Sequence, residues 1–170
     1  MLIRREASHD ISAIDAVHRR AFATDDGTEP VEVGLVRALR LDEAWVPALS
    51  LVAELGKSVV GHVVATEGEM GGFVGLGLGP IGVLPECQGV GIGSGLLHAV
   101  LAAADALDYP LVALVGHLDY YPRFGFVPAS SLGIEAPDPS WGAYFQVRTL
   151  TAYRPRMRGR FGFAAPFDGL

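Results

Sequence analysis

Apolar residues recur at helical spacing in three stretches of the chain, and between these they alternate or run on continuously. Leu2 to Glu6 predicts a short opening strand. Ser8 or Asp10 then caps a helix through about Phe22, with Ile11, Ile14, Val17, His18 and Phe22 on one face. Thr24–Gly27 reads as a loop, and a second helix starts at about Pro30 with the stripe Val31, Leu35, Val36 and Leu39. From Ala48 the period changes. Leu49–Leu55 and Ser58–Thr66 flank Gly56-Lys57 and predict a hairpin. A strand over about Phe73–Val83 precedes a long helix, about Gly91–Leu107, carrying Leu96, Leu97, Val100, Leu101, Ala104 and Leu107. Leu111–Val115 is continuously apolar, as in a strand buried on both faces. A short helix near Asp119–Phe124, a strand from Phe126 and another over Ala143–Leu150 complete the order β-α-α-β-β-β-α-β-α-β-β. That order predicts an α/β (α+β) domain, a mixed sheet with helices on its faces.

Composition narrows the class. At 170 residues, 50% hydrophobic and 19% charged, the chain can bury a core and is not intrinsically disordered. A net charge of −6 argues against a general nucleic-acid binder. The single cysteine, Cys87, excludes a disulfide framework and a cysteine-based zinc site, and no metal site is expected. No apolar run reaches the ~18 residues of a membrane span, and the N-terminus lacks a signal peptide's apolar stretch. The expectation is a cytoplasmic protein with no membrane or nucleic-acid partner. Charge is uneven: residues 148–170 hold five arginines against Asp168, so this tail is at +4 and the rest at −10. It is either a solvated counterweight or a patch for an anion.

Eleven of the 22 glycines fall in residues 68–95. Those from Gly71 to Gly82 lie in and around a strand, where glycine marks a bulge or the close approach of a ligand or another backbone. Four more sit in Gln88-Gly89-Val90-Gly91-Ile92-Gly93-Ser94-Gly95, between that strand and the long helix. Strand, glycine loop and helix N-terminus together make a phosphate cradle of bare N–H groups and a favourable dipole. No acidic residue lies between Gln88 and Ala104 to compete with an anion. The P-loop lysine is missing and the Rossmann spacing fails. The spacing that fits is Q-x-x-G-x-G, at Gln88, Gly91 and Gly93.

The segment Ile81-Gly82-Val83-Leu84-Pro85-Glu86-Cys87-Gln88-Gly89-Val90-Gly91-Ile92-Gly93-Ser94 resembles the acetyl-CoA signature of the GNAT superfamily of N-acetyltransferases. Tyr120-Tyr121-Pro122-Arg123-Phe124-Gly125-Phe126 resembles the family's Tyr-x-x-x-Gly-Phe element. The element order from residue 2 to about 150 also matches, and the whole pattern looks like the YhbS-like branch. The resemblance implies a mostly antiparallel central sheet with splayed central strands, here Phe73–Val83 and Leu111–Val115. It implies a catalytic domain over residues 1–150 and an arginine-rich extension over 151–170. It also implies acyl transfer from acetyl-CoA, a cosubstrate, to a small-molecule or peptide amine by direct attack. A non-catalytic acyl-CoA-binding module is the alternative.

In that scheme Gln88, Gly89, Val90, Gly91, Gly93 and Ser94 hold the pyrophosphate, and the strand edge at Ile81 and Val83 pairs with the peptide-like pantetheine arm. Tyr121 matches the family's tyrosine and is the candidate acid for the leaving thiolate; otherwise it packs over the cofactor. Tyr120 reads as a core or rim aromatic. No general base can be assigned. Glu67 and Glu69 fit a solvated turn, and His117 fits either a titrating group or a structural hydrogen bond near the splay. His62 fits a packed or surface strand position, His98 a partly buried one on the long helix. Cys87 has no neighbouring base that would make it a nucleophile. The acceptor groove is expected from segments such as 24–48 and 129–142. Phe161, Phe163 and Phe167 are expected to anchor the tail against the domain or a second subunit, which leaves a homodimer open.

Overall fold

A computed structural model describes residues 1–169. Nine strands form the sheet: β1 Leu2–Arg5, β2 Trp45–Leu55, β3 Ser58–Met70, β4 Phe73–Val83, β5 Leu111–Val115, β6 Val127–Pro128, β7 Ile134–Glu135, β8 Phe145–Thr149 and β9 Gly159–Gly162. The helices are α1 Ile11–Ala21, entered through a 3₁₀ turn at Ser8–Asp10, α2 Val31–Leu39 and α3 Ile92–Ala106. The main path runs β1-β2-β3-β4-β5-β8-β6, with β9 joined to the end of β3 and to β7. All pairings on that path are antiparallel except β4 with β5.

The period-two alternation of the strands fixes which helix each residue meets. Leu49, Leu51 and Ala53 of β2 and Val63 and Ala65 of β3 pack against Leu96, Leu97, Val100 and Leu101 of α3. Val52 and Val64 point the other way, into Ile14 of α1 and Leu35, Val36 and Leu39 of α2. β5 is buried on both faces, Val112 and Leu114 toward α3, Leu111 and Ala113 toward Phe145, Val147 and Phe161. Each such aliphatic side chain contributes about 1.5–3 kcal/mol relative to exposure, so α3 is held by its stripe despite its glycine-rich start.

The arginine-rich extension carries a strand of the sheet. Phe161 of β9 pairs with Met70 of β3 and is 1% exposed. It stacks into a cluster with Phe145, Phe163 and Trp141, and Phe167 follows on. The strand glycines explain how. A Cβ at Gly75 would press on Phe161 and Leu111, and one at Gly77 would occupy the Phe163 ring, so two bare strand positions admit the tail's aromatics onto the sheet. The close approach that strand glycines announce is made by these rings. Arg148, Arg154 and Arg160 donate to the main-chain carbonyls of Phe124, Thr151 and Pro137. These guanidiniums are therefore fixed by the chain's own backbone.

His62 is wholly buried within a polar chain that ties β1, β2, β3 and α1 together. Arg40 donates to Glu6 at 2.7 Å, Ser50 donates to Glu6, and His62 Nε2 lies 2.8 Å from Ser50 Oγ. His62 Nδ1 lies 2.8 Å from His18 Nε2. With Ser50 donating to the carboxylate, His62 Nε2–H donates to Ser50 and Nδ1 accepts from His18. Burial pushes the His18 imidazole down to about 3, and the neighbouring His62 adds to this, so both rings are neutral. The set has the residue types of a nucleophilic triad, but Ser50 and His62 have no exposed surface, which removes them from any substrate. His98, expected to be partly buried, is exposed and sits edge-on to Phe124, because it projects from the solvent side of the α3 stripe.

Candidate active site

β4 and β5 are paired only at Leu76–Val112 and Gly77–Ala113, and then they part. The cause lies in β4. Val63 pairs with Ile81 and Ala65 with Leu78, so β4 carries one residue more than β3 between these pairs, a bulge at Gly79-Pro80. Proline has no N–H to continue a ladder. Beyond the bulge Leu84 N–H donates to Val60 O at 2.9 Å. In an antiparallel ladder alternate residues face alternate edges, so Ile81 and Val83 turn their N–H and C=O groups away from β3, into the gap.

That gap opens into a cleft of 770 Å³ lined by Ile81, Val83, Cys87, the 88–94 loop, His117 and the Tyr120–Arg123 segment. Of the loop residues expected at the site, Gln88, Gly89, Gly91, Gly93 and Ser94 all line it, as do Ile81, Val83 and Tyr121. Val90 is not on the wall; its side chain is 75% exposed. Gln88 has a positioning role in the chain itself. Its Nε2 donates to Val83 O at 3.0 Å, tying the loop to the strand end. Gly91 is the residue before α3, at φ +91°, and a Cβ there would meet no atom within 4 Å, so the open cleft lies beside it. The first turn of α3 has no side-chain cap and no acidic residue. Its amides therefore lack acceptors within the helix and reinforce the positive end of the dipole.

Tyr121 stands where the cleft meets the gap. Its ring lies against Gly116, where any Cβ would overlap it, and is edge-on to Tyr120 and Phe126 at 5.1 and 5.8 Å. Burial pushes its phenol up to about 12, with Tyr120 adding to the shift. Tyr120 is a wall residue of the cleft, as the rim reading expected. Arg123 was not singled out by the sequence. Its guanidinium sits 4.6 Å from the centre of the Tyr120 ring and, among the described residues, is the one guanidinium or ammonium on the cleft wall. The signal for it was a lone arginine inside the Tyr-x-x-x-Gly-Phe segment. His117 is exposed on the wall, while Glu67 and Glu69 are elsewhere. Glu67 accepts from the Tyr109 hydroxyl at 2.6 Å, and Glu69 accepts the Gly72 N–H.

A second pocket, 330 Å³, lies on the α1–α2 side of the gap and shares Ile81 and Tyr121 with the first. Glu32 and Leu35 from the expected segment 24–48 and Trp141 from 129–142 line it, and so do Phe22, Phe163 and Phe167, which those segments did not include.

A glycine-started helix beside two strands that part at a bulge is the arrangement that the resemblance to the GNAT acetyl-CoA signature implies. The acetyltransferase (GNAT) domain model matches residues 47–128. The uncharacterized N-acetyltransferase YjhQ of Escherichia coli K12 is 35% identical over 165 residues, covering 92% of this chain and 88% of its own. The uncharacterized N-acetyltransferase YhbS of the same strain is 30% identical over 152 residues, covering 88% and 87%. The crystal structure of E. coli YhbS in complex with CoA superposes with a TM-score of 0.88 at 29% identity, over 98% of this chain and 91% of that one. A GNAT family acetyltransferase from Brucella melitensis, in complex with acetyl-CoA, superposes with a TM-score of 0.79 at 34% identity, over 98% and 97%. The chain belongs to the GNAT superfamily of N-acetyltransferases. Among the described residues, no helix is long and apolar enough to cross a membrane, and no cluster of three or more potential metal ligands occurs.

Proposed function

We propose that the protein transfers an acetyl group from acetyl-CoA to an amine by direct attack, with acetyl-CoA in the 770 Å³ cleft. The observation that carries this reading is the gap itself. An unpaired edge of β4 and an uncapped glycine helix start line one cleft, which runs on to a second pocket at Tyr121. The amides of Gly89–Ser94 face the pyrophosphate, with Arg123 as the nearby cation. The edge groups of Ile81 and Val83 pair with the pantetheine amides. The Ile81 N–H, the first free donor after the bulge, is aimed at the thioester carbonyl and stabilises the oxyanion that develops there.

The neutral amine nitrogen attacks the thioester carbon, the C–N bond forms and the C–S bond breaks. Sulfur takes its proton from Tyr121, and the proton that the nitrogen sheds passes through water to restore the phenol. Held at about 12, the Tyr121 phenol stays protonated at working pH and donates to the developing thiolate. A thiol has pKa about 8.5, so it needs a donor only as the bond breaks. His117, on the cleft wall, is the imidazole that can accept, through water, the proton an ammonium loses beforehand.

Release of free CoA thiol from acetyl-CoA in the presence of primary amines, followed with a thiol reagent, tests the proposal. Amine-dependent release with matching amide in the mass spectrum is expected. CoA binding without release over a broad amine panel would make the protein a non-catalytic acyl-CoA-binding module.

A further inference from the structure

We infer that the 330 Å³ pocket is the acceptor site and that it takes a small, singly cationic primary amine carried on an aromatic or aliphatic body. The inference rests on the acetyl-CoA reading of the neighbouring cleft and names the acceptor that site serves. A molecule in the pocket touches Ile81 and Tyr121, which also line the cofactor cleft, so its inner end is at the thioester. At 330 Å³ the pocket is at the small end of the ~300–1,000 Å³ range of small-molecule sites, which favours a compact acceptor over a folded protein surface.

The walls decide the chemistry. Phe22, Trp141, Phe163 and Phe167 present aromatic rings, and among the described residues Glu32 is the sole carboxylate on the wall, with no lysine, arginine or histidine beside it. The neighbouring carboxylates Asp15 and Glu29 are paired with Arg37 and Arg19, whereas Glu32 has no ion-pair partner among the described residues. A carboxylate and aromatic faces both attract an ammonium ion. An acceptor with its own carboxylate would place an anion beside Glu32 and desolvate it against the rings. A polyamine would bring further ammonium groups with only one carboxylate to meet them. Two of the four rings come from residues 163 and 167, so the C-terminal segment sets acceptor choice as well as stability.

The test uses the intact protein, saturating acetyl-CoA and thiol release. Phenethylamine and hexylamine are expected to exceed phenylalanine and spermidine in kcat/KM by at least ~10-fold, because the added charges lack partners. Glu32→Gln is expected to raise KM for phenethylamine by ~2–5-fold, the worth of a partly exposed ion pair, with kcat held. Trp141→Ala, at a half-buried position, is expected to raise KM for phenethylamine more than for hexylamine, because one ring face is lost. Preference for phenylalanine or spermidine, or an unchanged KM in Glu32→Gln, overturns the acceptor assignment while CoA binding stands. Absence of CoA binding by calorimetry removes the cofactor reading and this inference with it.

Discussion

The two recesses that meet at Tyr121 are built in opposite ways. Under the proposed function, the larger cleft takes its anion-facing wall from one stretch, Gln88 to Ser94, and that wall is made of main-chain amides. The second pocket draws its wall from Phe22 after α1, from α2, β4, β5 and Tyr121, from the segment around Trp141 and from the tail. A main-chain site needs glycines and a helix start, and its neighbours can be almost anything. A side-chain site is specified only when every contributing element is in place. One scaffold can therefore keep its acyl donor while its acceptor changes. The bulge at Gly79-Pro80 divides the two, because it parts β4 from β5 and frees the Ile81 edge that both recesses share.

The largest effect expected from breaking one side alone is at Phe161. Phe161→Ala removes a fully buried ring that anchors the tail on the sheet and should lower stability by about 3–5 kcal/mol, seen as a large drop in denaturation midpoint. CoA affinity of the folded fraction should be unchanged. A stability loss under ~1 kcal/mol would mean the ring is not core.

At the junction, Tyr121→Phe should lower kcat by ~10²-fold and leave CoA affinity intact, since the ring still packs on Gly116. Full activity in this variant would reduce Tyr121 to packing. On the donor side, Arg123→Ala should weaken CoA binding by about tenfold, the worth of one charge-assisted hydrogen bond to phosphate, with a shallower salt dependence. An unchanged affinity would place the phosphates away from Tyr120 and Arg123.

The polar chain under α1 predicts a pH dependence that belongs to the fold and not to either recess. His18 has its pKa lowered from 6.5 to about 3, so below 6.5 the unfolded chain binds a proton that the folded one refuses. Stability from this group is full above 6.5 and declines as pH falls toward 3. Glu6 and Asp10, both lowered to about 2, add a further loss from about 4.5 downward as their ion pairs protonate. The melting temperature should fall between pH 7 and 5, before any carboxylate titrates. A flat profile over that interval would show that His18 is not buried and neutral.

This contrast also explains what the sequence disclosed. The loop was legible because its signals are contiguous and chemical: a strand end, glycines that permit positive φ at 89 and 91, and a helix start without acidic residues. The strand Phe73–Val83 and the parting of its neighbour Leu111–Val115 were legible from period and resemblance. The two-residue strand β7 left no period to read, and β9 was hidden because Gly159 to Gly162 reads as a loop until β3 is beside it. Only register reveals that Gly75 and Gly77 lie beneath Phe161 and Phe163. The second pocket was half legible, since Phe22 and Phe167 are neighbours in space across almost the whole chain. His62 carried a faint signal, an imidazole in a strand apolar on both faces, but its partners Glu6, Ser50 and His18 come from three other elements.

The central claim is that main-chain amides of the 88–94 loop hold acetyl-CoA at the start of α3. Isothermal titration of CoA into the wild type and Gly91→Asp tests it most directly. Gly91 has φ +91° and open cleft beside it, so an aspartate there is strained and sets a carboxylate in the phosphate site. The expected result is saturable 1:1 binding to the wild type and at least ~100-fold weaker binding to a Gly91→Asp protein that keeps its circular dichroism and its pH-dependent melting. Equal CoA affinity in the folded variant would contradict the account.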